Sequence, residues 1–169
     1  GPRPRPPACP WRGGVEATGL WRPARTPAVT VVTLVTMVTS HVLSDGTEVT
    51  IRPIAAGDKQ ELQDGLHRLS DEAVQRRFLV PKARFTKAEL RYLTEVDGHD
   101  HVALVAESAR WPGTIVAVAR YVRLRDDPDT AEAAIVVADA LQGLGLGTRL
   151  AERLATAATV HGIRRFTAE

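Results

Sequence analysis

Three glycines, Gly143, Gly145 and Gly147, stand at alternate positions between an apolar segment and a segment of helical periodicity. Glycine adopts backbone conformations that other residues avoid, so several N–H groups of such a run can turn toward one point. At the N-terminus of a helix these groups lie at the positive end of the helix dipole, where anions bind. The segment therefore predicts a cradle for a phosphate group.

The residues around the glycines separate this loop from two common nucleotide-binding loops. A P-loop requires Lys and then Ser or Thr after its last glycine, whereas Thr148 and Arg149 follow Gly147. A dinucleotide-binding loop requires its third glycine three positions after the second, early in a parallel strand–helix–strand unit. Here the glycines are two positions apart and follow several strands predicted to be antiparallel. ATP, GTP and NAD are therefore disfavoured as ligands. A glycine-rich turn without a ligand remains an alternative.

The periodicity of the rest of the chain predicts the elements that position this loop. Strands are predicted at 47–54, 101–107, 114–124 and 131–138, and the second and third form an antiparallel hairpin around a turn at 111–113. Helices are predicted from Asp58, from Ser70 to Pro81, from Thr86 with a capping box to Glu89, and over 148–160 with Gly162 at its C-terminus. A last strand starts at Ile163.

Within this order of elements, the segment Gln142–Gly147 (QGLGLG) resembles the acetyl-CoA signature of the GNAT N-acetyltransferase superfamily. The segments 45–54 (DGTEVTIRPI) and 69–72 (LSDE) are similar to those of actinobacterial relatives of the bacterial protein lysine acetyltransferase. The resemblance reaches back to about Ser44. It implies the acyl-CoA N-acyltransferase fold, of the α/β (α+β) class, with a mixed, mostly antiparallel central sheet flanked by helices.

The resemblance also implies a reaction in which acetyl-CoA, as co-substrate, donates an acetyl group to a primary amine of a protein lysine or a small molecule. The amine would attack the thioester directly. The pantetheine arm would lie along the end of the fourth strand and the pyrophosphate on the loop, with a backbone N–H near Val137 polarising the thioester carbonyl. The implied contacts are Val136, Val137, Ala138, Gln142, Gly143, Leu144, Gly145, Leu146, Gly147 and Thr148.

Glu132 is the candidate catalytic base, because the attacking amine must be neutral and needs a proton acceptor within reach. It lies ten residues before Gln142 and matches the glutamate that the lysine acetyltransferase relatives carry there. Neighbouring alanines could leave it partly desolvated. The alternative is a strand glutamate that faces solvent.

No metal site is predicted. His99, Asp100 and His101 are adjacent and would point in opposite directions along a strand, and the chain has only one cysteine, Cys9. A single cysteine also allows no disulfide framework, which makes the cytoplasm the expected compartment.

The charge of the chain is unevenly distributed. The net charge is +2, but residues 1–40 hold five Arg and one acid, so the remainder is slightly acidic. The same leading segment holds seven of the 11 prolines, and we interpret 1–43 as a disordered extension rather than a secretory signal or a nucleic-acid-binding arm.

The longest weakly polar run has 11 residues, whereas a membrane helix needs about 20. Neither nucleic acid nor membrane is expected as a partner.

Both ends of the chain depart from the superfamily pattern. Met37, the only methionine, stands just before the patterned part, and we hypothesise that translation starts there and that residues 1–36 are not native. Members of the superfamily continue beyond the Ile163 strand with a helix and a hairpin, so residues 44–169 are expected to be a C-terminally truncated domain. A non-catalytic acyl-CoA-binding or inactive fragment is therefore the alternative function.

Overall fold

A computed structural model describes residues 38–68 and 84–167 of the chain. Within them, the strands are β1 (Thr39–Val42), β2 (Glu48–Pro53), β3 (His101–Ser108), β4 (Trp111–Arg123), β5 (Thr130–Val137) and β6 (Arg165–Thr167), and the α-helices are α1 (Lys59–Arg68), α2 (Lys87–Thr94) and α3 (Leu146–Val160). The described strands form one sheet in chain order. All neighbours are antiparallel except β5 and β6. The predicted fold class is confirmed.

The sheet begins earlier than the sequence predicted. Strand β1 pairs with β2, with Thr39 opposite Ile51 and Val42 opposite Glu48. Leu43 follows with only 6% of its surface exposed. The sheet therefore includes residues 39–42, which precede the predicted boundary at Ser44. The predicted extension before residue 38 lies outside the described residues.

The hairpin of β3 and β4 is confirmed, but its turn was placed wrongly. Ala109 and Arg110 form the turn, and Trp111 already pairs with Ser108. The register then shifts on both sides of Glu107. This β-bulge, rather than the turn, accommodates Pro112 and the positive φ of Gly113.

The helices start close to the predicted positions. Thr86 and Glu89 form the predicted capping box of α2, with the Thr86 N–H donating to Glu89 Oε2 and the Glu89 N–H to Thr86 Oγ1. Asp58 ends a short 3₁₀ turn before α1, where its carboxylate accepts from the Ala55 N–H at 2.7 Å. The predicted helix from Ser70 to Pro81 lies outside the described residues.

The sheet lies between two apolar layers. On one face α3 buries Leu146, Leu150 and Leu154, together with Ala157 and Ala158. On the other face Leu62 of α1 and Leu93 of α2 pack against the sheet. None of the described helices has the length and apolar character needed to cross a membrane. Both layers therefore hold the end of β5 from opposite sides.

Candidate active site

At the end of β5, the backbone polar groups of Ala138 and Val137 point to opposite sides of the strand. The Ala138 N–H donates to the Val116 carbonyl oxygen of β4 at 2.8 Å. Because successive strand residues direct their N–H groups to opposite sides, the Val137 N–H and carbonyl point away from β4. The described pairing of β5 with β6 covers only Thr130 to Glu132, at the opposite end of the strand. The backbone of Val137 thus faces the sheet edge at which the cofactor was predicted.

Gln142 ties the loop to this strand end. Its Nε2 donates to the Val137 carbonyl oxygen at 3.1 Å and to Asp139 Oδ1 at 3.0 Å. The residue predicted as a cofactor contact therefore uses its side chain to shape the path from β5 into the loop. Residues 139–141 form a 3₁₀ turn in between.

Two of the three glycines have a conformation that requires glycine. Gly143 has φ of +73° and Gly145 has φ of +92°, both in the left-handed region. Gly147 is helical, and a Cβ added there would only touch Val137 Cγ2 at 3.9 Å. The positive φ angles explain why Gly143 and Gly145 are glycines, but the backbone conformation of Gly147 does not require glycine.

The N-terminus of α3 has no side-chain cap. Gly145 is its N-cap residue, and the first turn contains no acidic residue. The first hydrogen bond within the helix runs from the Arg149 N–H to the Gly145 carbonyl at 3.2 Å. The N–H groups of Leu146, Gly147 and Thr148 therefore have no acceptor within the helix and lie at the positive end of its dipole. Arg149, which the sequence analysis did not count as a site residue, adds an exposed cation to this end.

A cavity of about 390 Å³ opens on the face of the sheet opposite α3. It lies between α1, the first half of β4 and the end of β5. Of the residues that the structure describes, those that line it are Glu61, Leu62, Gly65, Trp111, Thr114, Ile115, Val116, Ala117, Val118, Val136, Ala138, Asp139 and Ala140. Val136 and Ala138 thus belong both to the predicted cofactor strand and to this cavity.

Sequence reasoning missed the wall of the cavity that α1 and the β4 bulge provide. Glu61 Oε1 accepts from the Ile115 N–H at 3.2 Å, which joins the helix to the strand. These two residues are 54 positions apart, and no periodicity in the sequence links them. The contact could be found only once the chain is folded.

An ion cluster fixes the start of α1. The guanidinium of Arg52 donates to both carboxylate oxygens of Asp58 at 2.8 Å, and its Nε donates to Glu107 Oε1 at 2.8 Å. Burial by itself raises the pKa of Asp58, but the hydrogen bonds from Arg52 and the Ala55 N–H outweigh it and hold the pKa below its ordinary value. The cluster thus holds the start of α1 against β2 and β3, next to the cavity.

Glu132 is half-buried and lies opposite Val122 and Thr167. It shares a sheet face with Val136, because the two positions are four apart and side chains alternate between the faces of a strand. Four strand residues span about 13 Å, and Glu132 does not line the cavity. The structure therefore places the predicted base on the same sheet face as Val136, with a gap between it and the cavity.

The histidines near residue 100 have other partners. His99 Nδ1 lies 2.8 Å from Asp100 Oδ1, and the centroid of the His99 ring lies 4.6 Å from that of His161, with the two rings tilted by 42°. Buried His101 lies 3.3 Å from Arg120 Nη1, and its pKa falls to about 4 through burial and the nearby guanidinium. In the described ranges no group of three His, Cys, Asp or Glu side chains is arranged to hold a metal ion.

Comparison with known proteins identifies the family. A model of the acetyltransferase (GNAT) family matches residues 66–169, and the chain belongs to this family. It is 38% identical over 119 residues to acetyltransferase Pat of Mycolicibacterium smegmatis, covering 70% of this chain but only 35% of that protein. It is 31% identical to acetyltransferase PA5475 of Pseudomonas aeruginosa, covering 73% and 67% of the two chains.

Among solved structures, the GNAT domain of S. lividans PAT is similar, with 34% identity, a TM-score of 0.68 and 76% of each chain covered. The resemblance to actinobacterial protein acetyltransferases and the GNAT fold are thereby confirmed. The chain spans about a third of the length of the mycobacterial relative.

Proposed function

We propose that this chain binds acetyl-CoA and transfers its acetyl group to a primary amine by direct attack on the thioester. The uncapped N-terminus of α3 beside the outward-facing backbone of Val137 carries this proposal. Acetyl transfer is the family's general chemistry. The choice of acetyl-CoA, of an amine acceptor and of the residues below is our inference.

The residues present fit a coenzyme A pyrophosphate. The leading N–H groups of Leu146, Gly147 and Thr148 offer donors at a positive helix end, and the glycines leave open space above the loop. Nothing lies within 4 Å of a Cβ built on Gly143 or Gly145. We assign the pyrophosphate to 143–148 and the pantetheine arm to the backbone of 136–138. Acetyl-CoA, when bound, supplies the activated acyl group.

The cavity provides the approach for the acceptor. Since it reaches Val136 and Ala138, an amine inside it meets the acyl group at the end of β5. The amine nitrogen attacks the carbonyl carbon, the C–S bond breaks, and the thiolate leaves and takes up a proton. The Val137 N–H, directed away from β4, stabilises the negative charge that develops on the carbonyl oxygen.

Glu132 takes the proton that the amine gives up. The backbone of Glu132 lies about 13 Å along the strand from that of Val136, so we assign the proton transfer to water between the amine and the carboxylate. The same gap favours the second candidate function, a non-catalytic acyl-CoA-binding domain. A protein lysine or a small molecule serves as the acceptor in the first candidate, and acetyl-CoA use agrees with the cytoplasmic location expected from the sequence.

Substitution of Glu132 separates these functions. We expect Glu132→Gln to lower turnover about 100-fold, the usual contribution of a general base, with the dissociation constant for acetyl-CoA unchanged. Coenzyme A release measures turnover and calorimetry measures binding. Glu48→Gln, an exposed strand glutamate on β2, is the matched control.

The outcomes are distinct. Equal turnover of wild type and Glu132→Gln across pH would remove Glu132 from the mechanism. Acetyl-CoA binding without transfer to any amine would support the non-catalytic function. No binding of acetyl-CoA by the wild-type chain would defeat both.

A further inference from the structure

Val137 presents two backbone groups at one edge of β5. The N–H and the carbonyl of one strand residue point to the same side, and those of Val137 point away from β4. The proposed function places the pantetheine arm along this edge. An extended amide chain at a sheet edge pairs as an added strand does, by donating to carbonyls and accepting from N–H groups. The Val137 carbonyl oxygen is therefore an acceptor for an amide N–H of the arm.

Gln142 occupies this acceptor in the structure. Its Nε2 donates to the Val137 carbonyl oxygen at 3.1 Å and to Asp139 Oδ1 at 3.0 Å, so the amide uses one N–H for each partner. The donor is a carboxamide N–H, which is the same chemical group that the pantetheine arm carries. The Gln142 side chain thus makes with Val137 the type of hydrogen bond that the arm would make.

The hydrogen bond between Gln142 and Val137 can be exchanged at little cost. Gln142 is exposed, and both of its side-chain bonds lie at the surface. Water competes for such groups, so the net contribution of each bond to the free energy is small. The bond to Asp139 links positions three apart and does not depend on the bond to Val137. The arm can therefore replace the bond to Val137 while the bond to Asp139 persists.

We propose that Gln142 is a placeholder for a pantetheine amide. In the free protein it ties the glycine loop (143–147) to β5 through the Val137 carbonyl oxygen. When the arm binds, an amide N–H of the arm donates to this oxygen, and Gln142 keeps its bond to Asp139. The inference rests on the proposed binding of acetyl-CoA and adds a positioning role for Gln142, which acts through Val137.

This role affects the two halves of the cofactor in opposite directions. The pantetheine arm has to displace Gln142 from Val137, so Gln142 lowers the affinity for the arm alone. The adenosine bisphosphate half binds the glycine loop, which Gln142 holds in place beforehand, so Gln142 raises the affinity for that half. A residue that only stabilised the fold would change both affinities in the same direction.

Gln142→Met removes both N–H donors and keeps the length of the side chain. We expect the dissociation constant of S-acetylpantetheine to fall about threefold and that of adenosine 3′,5′-bisphosphate to rise about threefold, the effect of one exposed hydrogen bond. NMR titration of the full chain measures both constants. Gln60→Met is the matched control, because Gln60 Nε2 also donates to an aspartate, Asp64 Oδ1, at 2.9 Å. This control lies on α1 and should change neither constant.

The side-chain amide of Gln142 provides a direct readout with acetyl-CoA itself. Its two N–H signals in the wild-type spectrum are assigned by their absence from the spectrum of Gln142→Met. At saturation with acetyl-CoA, we expect the signal of the N–H on Val137 to shift and that of the N–H on Asp139 to stay. The side-chain signals of Gln60 should not move.

These measurements distinguish failure of this inference from failure of the proposed function. The placeholder role would be overturned if both fragments bound more weakly to Gln142→Met, if neither constant changed, or if the Gln142 signals stayed in place at saturation. Each of these results would leave acetyl-CoA binding intact. A wild-type chain that does not bind acetyl-CoA would overturn the proposed function and this inference together.

Discussion

At its first turn α3 presents N–H groups that no side chain caps, whereas its last turn is closed by many partners. The N–H groups of His161, Gly162 and Ile163 all donate to carbonyls of the last turn. Tyr121 Oη lies 2.6 Å from His161 Nδ1, and Arg123 Nη2 donates to the His161 carbonyl. One end of the helix thus leaves its backbone donors without a side-chain cap, and the other end is closed by partners within the protein.

The difference shows how one helix serves both purposes. Carbonyls satisfied within the protein stabilise the fold at the C-terminal end. Unsatisfied donors at the N-terminal end contribute nothing until an anion binds, and then they contribute to affinity. Substitutions at the two ends should therefore change different measured quantities, and a substitution in the middle should change both.

The largest effect is expected at the middle of α3. Leu154 has 1% of its surface exposed and packs in the core beneath the sheet. Leu154→Ala should lower the free energy of unfolding by about 2–5 kcal/mol, since it leaves a cavity. Urea denaturation measures the loss, and Glu152→Ala on the exposed side should change it by less than about 0.5 kcal/mol. A small loss for Leu154→Ala would mean that α3 is not packed as described.

A smaller effect distinguishes the glycines at the N-terminal end. Gly145→Ala places a Cβ at φ of +92°, which costs about 1–2 kcal/mol of stability, and the distorted loop should weaken coenzyme A binding about tenfold. Gly147→Ala keeps helical geometry and should be stable. Denaturation and calorimetry on the same samples test the pair, and identical behaviour of the two variants would contradict a loop shaped by positive φ.

The smallest effect concerns pH at the C-terminal end. Burial, then the neighbouring His99 and Arg123, lower the pKa of His161 from 6.5. The unfolded chain therefore binds a proton at this residue more readily, and the free energy of unfolding should fall as pH drops below about 6.5. His161→Asn does not titrate and should flatten this part of the pH dependence. Equal slopes for both proteins in denaturation at pH 5–7 would refute this contribution of His161.

The sequence predicted those features that local patterns encode. The helical start around Thr86 follows from a capping box, and the loop from Gln142 to Thr148 follows from its glycines and the amphipathic helix behind them. The bulge in β4 could not be predicted, because Pro112 and Gly113 form turns as readily as bulges. The cavity was also inaccessible to sequence reasoning, because it depends on contacts such as that between Glu61 and Ile115.

The parallel pairing of β5 and β6 affects the order of folding. Short turns join β3, β4 and β5, but β5 and β6 are joined through the glycine loop and α3. Closing this longer connection costs more chain entropy, so β6 should join the sheet after the hairpins have formed. The candidate coenzyme site lies within this crossover. A ligand bound there would stabilise the part of the sheet that is completed last, and would slow its local opening.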